Sequence, residues 1–79
     1  MSDFTAEKEL DARGLKCPMP VVRTSQEIKN ISVGNILKVM ATDPGSIADI
    51  SAWCKSTGNE LLEMGKEDGV FEFIIRRVN

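Results

Sequence analysis

Apolar residues recur at every second position in two stretches of the chain, Ile36–Thr42 and Val70–Arg77. That is the period of a strand with one buried face. In the first, Leu37, Val39 and Ala41 form one face and Ile36, Lys38, Met40 and Thr42 the other. The lysine predicts that this second face is open to water. In the other, Phe71, Phe73 and Ile75 point inward while Glu72 and Arg76 point outward. Glu7–Ala12, with Leu10 inward, and Asn59–Met64 read as two further strands. Elsewhere the period lengthens. Val21, Ser25 and Ile28 fall at helical spacing with Val22 on the flank, and Arg23, Gln26, Glu27 and Lys29 take the wet side. This predicts a helix from Pro18 or Pro20 to about Lys29. Ile47, Ile50 and Cys54 form a second helical stripe with Trp53 at its edge. Asp43, or Ser46 with Asp49 three residues on, caps that helix, and Gly58 ends it.

Turn signals separate the elements. They are Arg13-Gly14, the connector Asn30–Asn35, and Gly65–Gly69 with Asp68-Gly69 at its heart. The order is strand, helix, strand, helix, strand, strand. It predicts an α/β two-layer sandwich with both helices on one face of a four-stranded sheet. The first two strands, joined by a right-handed helical crossover, are parallel, and the last two form a hairpin. At 79 residues there is room for one domain, 1–79, with an ordered core of about 7–77 behind a loose polar lead, residues 1–6.

Charge and composition remove whole classes of function. A net charge of −2 provides no basic field for nucleic acid. No apolar run is long enough to suggest a membrane span. Met1–Glu7 has neither a basic nor an apolar signal region. Two cysteines build no disulfide framework, so a cytoplasmic protein with reduced thiols is expected. Histidine and tyrosine are absent, which excludes a Cys–His pair and a Ser–His–Asp triad. Two cysteines without histidine do not supply a structural zinc site, so no metal is expected.

The chemistry that remains centres on Cys17-Pro18-Met19-Pro20, between the first strand and the first helix. Proline suits a first helical turn, where its missing amide has no partner to lose. Cys17 is then the expected N-cap, with the positive end of the helix dipole favouring its thiolate. Pro18 and Pro20 remove two amides, leaving those of Met19 and Cys17 to face the sulfur in a narrow anion site. Leu15 packs beneath the motif. Arg13, Lys16 and Arg23 lie close by in sequence, suited to steadying a sulfur anion or docking an acidic partner. The motif lacks the second cysteine of a Cys-x-x-Cys redox pair, so Cys17 has no local resolving thiol.

These residues resemble the TusA/SirA-like sulfur carriers. The likeness is carried by Leu10-Asp11, Gly14-Leu15-Lys16-Cys17-Pro18-Met19-Pro20, Gly34, Thr42-Asp43-Pro44-Gly45 and Trp53-Cys54. It continues through Gly58-Asn59-Glu60-Leu61-Leu62 and Asp68-Gly69-Val70-Phe71. The resemblance implies a mixed sheet and a persulfide shuttle that needs no bound cofactor. Cys17 would accept a sulfane sulfur from a cysteine desulfurase or a rhodanese-type donor and relay it to a downstream acceptor. Transfer RNA thiolation, cofactor biosynthesis and sulfur oxidation are the uses it implies. It gives Cys54 no catalytic role. Three other readings compete. A stand-alone redox enzyme would need Cys54 as resolving thiol. A small RNA-binding module would need more positive charge and more aromatic residues. A regulatory interaction domain would need no thiol chemistry.

Overall fold

The computed structural model describes residues 5–79. The first four positions of the expected loose lead lie outside the described residues. Strand β1 spans Lys8–Ala12, helix α1 Met19–Glu27, strand β2 Ile36–Ala41 and helix α2 Gly45–Thr57. Strands β3, Glu60–Glu67, and β4, Val70–Arg76, follow. A 3-10 turn over Ile28–Asn30 extends α1 close to its expected end. The element order is the one the periodicities predict, and the architecture is the expected sandwich on a mixed sheet.

The sheet runs β1-β2-β4-β3. β1 lies parallel to β2, with Leu10 opposite Val39 and Ala12 opposite Ala41. β4 lies antiparallel to β2 and sets Phe73 against Val39 and Ile75 against Leu37. This register gathers the inward residues of three strands on one face. Ile28, Ile31, Ile50 and Cys54 close over them in a single cluster. Lys38–Glu72 and Arg76–Glu60 ion pairs lie on the opposite face, which carries the expected charge but is only partly open, since Ile74 on it is buried.

The buried stripe of α1 is Pro20, Thr24 and Ile28, and the expected Val21 and Ser25 are only half-buried. A threonine replaces an aliphatic residue here because its hydroxyl donates to the Pro20 carbonyl at 2.8 Å. With that polar atom satisfied, burying the rest of the side chain costs little. The third strand runs three residues past its expected end. Gly65 stays in the ladder opposite Glu72, and the turn contracts to Asp68-Gly69. Both residues have positive φ, 51° and 79°, the left-handed pair of a two-residue type I′ hairpin. Lys66 continues the strand with its ammonium 5.5 Å from the centre of the Phe71 ring. Gly58 ends α2 as expected, in the left-handed conformation with its amide bonded to the Cys54 carbonyl.

Candidate functional site

Because β1 and β2 are parallel, their C-terminal ends lie side by side and the loops leaving them meet. Two hydrogen bonds join these loops. The Gly14 amide donates to Thr42 Oγ1 at 2.9 Å, and the Cys17 amide donates to Asp43 Oδ2 at 3.2 Å. The approach requires glycine at the start of α2. A Cβ on Gly45 would stand 2.9 Å from Asp43 Oδ2 and 3.3 Å from the Cys17 Cβ. Cys17 is exposed at this junction. Its Sγ donates to Asp49 Oδ2, 2.6 Å away on α2.

The Asp49 contact reverses one expectation. A helix N-terminus behind Cys17 was expected to favour its thiolate. Instead the hydrogen bond to Asp49 holds the proton, and desolvation and the charges of Asp49 and Asp43 add to it, so the thiol titrates above its ordinary range. The expected anion site is also filled from within. Pro18, not Cys17, occupies the N-cap position. The Met19 amide bonds the Lys16 carbonyl at 2.8 Å, and the Cys17 amide is taken by Asp43. The Cys17–Pro18 peptide is cis.

The capping expectations for α2 are corrected in the same way. No side chain caps this helix. Asp43 spends its carboxylate on the Cys17 amide and Asp49 its own on the Cys17 thiol, while the Ser46 hydroxyl donates to the Asp43 carbonyl at 2.6 Å. Asp43 and Asp49, read as local helix signals, are instead cross-loop contacts that hold the cysteine.

The other expected site residues separate into three groups. Pro18 and Met19, which follow Cys17 in the chain, are exposed, and Pro20 is buried. Lys16 and Arg23 are exposed and form no ion pair among the described residues. Arg13 turns back on Asp11, with Nε and Nη2 at 2.8 and 2.9 Å from its two carboxylate oxygens. That fork holds the Asp11 carboxyl down to about 2 and engages the charge that was expected to serve Cys17. Among the described residues, no three Cys, Asp or Glu side chains gather closely enough to hold a metal ion.

Cys54 lies in the core, 3% exposed, where desolvation pushes its thiol up to about 11. A pKa raised on folding gives stability that is complete below the unfolded value of 9.0 and is lost as the pH climbs through 11. On a Cys17→Ser background, urea unfolding is expected to show roughly 2–3 kcal/mol lost across that window at the Cys54 site. Cys54→Ala should flatten this alkaline limb, and an equally steep limb in the variant would refute the assignment. No tyrosine is present to obscure the measurement.

Comparison with known proteins shows the family and the fold. The family described as Sulfurtransferase TusA matches residues 8–77. The chain is 48% identical over 77 residues to the sulfur carrier protein TusA of Allochromatium vinosum, covering 98% of this chain and 99% of that one. It is 44% identical to the sulfur carrier protein TusA of Pseudomonas putida strain GB-1, covering 98% and 96%. The crystal structure of a SirA-like protein from Desulfitobacterium hafniense shares the fold, with a TM-score of 0.79 at 24% identity over 91% of this chain and 99% of that one. An exposed Cys-Pro-Met-Pro cysteine at the meeting point of two parallel strands, on a chain matched almost end to end, makes this protein a member of the TusA family of sulfur carriers.

Proposed function

We propose that Cys17 takes a sulfane sulfur from a cysteine desulfurase or a rhodanese-type donor, holds it as a persulfide, and passes it to a downstream acceptor protein. The relay would serve transfer RNA thiolation, cofactor biosynthesis or sulfur oxidation. It needs no cofactor beyond the covalent sulfur, no direct contact with nucleic acid and no membrane, and it is assigned to the cytoplasm. One observation carries the reading: of the two thiols, one is exposed on a loop and the other is sealed in the core. A shuttle needs one reachable sulfur and no second thiol that would resolve it as a disulfide. Cys54 lies on the buried face of α2, which disfavours the redox-enzyme alternative.

The test is loading and localisation. After incubation with a desulfurase and cysteine, the intact protein should gain the mass of one sulfur atom, removable by reductant. Peptide mapping after alkylation should place that atom on Cys17. Sulfur found on Cys54, or none at all, would defeat the reading.

Docking must cover the Cys17 loop, because a reaction between two sulfurs requires contact. Lys16 and Arg23 supply positive charge that no described residue pairs, and Met19 is 41% exposed as an apolar anchor. Reversing both charges, with Lys16→Glu and Arg23→Glu, is expected to slow transfer about tenfold at low ionic strength. The difference should narrow as salt screens it. Transfer at the wild-type rate in low salt would make both residues bystanders.

A further inference from the structure

Loading an exposed cysteine from a partner creates a proton problem. The attacking sulfur must lose its proton, and docking covers the loop from which that proton would otherwise escape to water. The chain has no histidine to receive it. Among the described residues, two carboxylates act on the sulfur, Asp49 from α2 and Asp43 from the loop before α2, while Lys16 adjoins Cys17 in sequence. The first turn of α1, Met19–Val22, carries no charged residue. Asp43 is engaged by the Cys17 amide and does not hold the thiol proton. Asp49 is half-buried, and its Oδ2 accepts the thiol proton directly.

We infer that Asp49 is the catalytic base of sulfur loading, and that it returns the proton to Cys17 when the sulfur is released. The inference rests on the persulfide reading of Cys17. In loading, the Cys17 sulfur attacks the outer sulfur of a donor persulfide, R–S–SH. A new S–S bond forms to Cys17, the S–S bond of the donor breaks, and the donor leaves with that electron pair as R–S⁻. The Cys17 proton crosses to Asp49 Oδ2. The Cys17 sulfur is oxidised by as much as the donor sulfur is reduced, so no outside oxidant enters. Release runs in reverse. An acceptor thiolate takes the outer sulfur, the Cys17 sulfur leaves with the bond pair, and the Asp49 carboxyl protonates it. The same contact keeps the resting thiol protonated, which spares an exposed cysteine from adventitious oxidation between deliveries.

A base and a mere brake on the thiolate predict opposite results for Asp49→Asn. Iodoacetamide reads the thiolate population of the free carrier, where water takes the proton. Single-turnover loading from a desulfurase carrying one sulfur reads the covered complex. Removing the carboxylate should speed alkylation severalfold while slowing loading at least about tenfold. Wild-type loading, which hands its proton to a fixed acceptor in the covered complex, should vary little between about pH 6.5 and 8. Loading of the Asp49→Asn variant should climb with pH as its thiolate fraction grows. Asp49→Glu keeps a carboxylate within reach and is expected to restore most of the loading rate; it also serves if the asparagine variant melts below the assay temperature. If Asp49→Asn loads as fast as the wild type, or faster in step with its alkylation, Asp49 is only a brake and the inference is overturned. If alkylation and loading slow together, Asp49 only positions the loop, and the inference is again overturned. Failure of the wild type to load would overturn the persulfide reading itself, and this inference with it.

Discussion

Cys17→Ser is expected to abolish sulfur loading and to leave the fold standing. A serine hydroxyl is almost wholly protonated at neutral pH and is a poor nucleophile toward sulfur. Its effect on stability should be small, because Cys17 is exposed and the serine hydroxyl can still donate to Asp49. Cys54→Ser gives the mirror image. It should load one sulfur as the wild type does, yet lose roughly 1–3 kcal/mol from burying a hydroxyl among apolar neighbours. Intact mass after desulfurase treatment reads the first property, and urea unfolding reads the second. Loading of Cys17→Ser at a rate near wild type would remove Cys17 from the mechanism.

Phe73→Ala is expected to have the largest effect on stability. Phe73 is completely buried, at the middle of β4, and pairs across the ladder with Val39 on one side and Met64 on the other. Truncating such a ring typically costs about 3–5 kcal/mol, from lost transfer energy and the cavity left behind. A domain of this size has total stability on the order of 4–12 kcal/mol. The variant should therefore unfold at much lower urea, or fail to accumulate as a folded protein. Val33→Ala, at a position 61% exposed, is the control and should change little. A loss for Phe73→Ala below about 1 kcal/mol would mean that the core relaxes into the gap.

The sequence made the layers of this molecule readable because one-sided burial leaves a period. Leu37, Val39 and Ala41, and Phe71, Phe73 and Ile75, stand at alternate positions, and the structure buries all six, although Ile74 on the other face is buried as well. Cys17 was legible from Pro18 and Pro20, which mark a loop entering a helix. Asp49 was not legible as a partner of that cysteine. It stands 32 positions away, and its spacing from Ser46 imitates a local cap. The available signal was a demand for a proton acceptor in a chain without histidine, with Asp43 just before the second helix and Asp49 within it. Gly45 was missed for a related reason: the need for a residue without a side chain appears only once two loops are brought together. The place of β4 between β2 and β3 was not readable either, since alternation reports which face is buried and not which neighbour is paired.

That place sets a condition on biosynthesis. β4 is the last strand of the domain, yet it forms the middle of the sheet, with β2 on one side and β3 on the other. When α2 has left the ribosome, β2 still offers an unpaired edge, and Phe71, Phe73 and Ile75 have yet to cover the faces of Ile50 and Cys54. The nascent chain therefore has no stable halfway stage. It holds an aggregation-prone strand edge in the open until the hairpin at Asp68-Gly69 folds back. Completion of the sheet is thus postponed until β4 has been made, and a chain stopped before Val70 would lack the strand that joins β2 to β3.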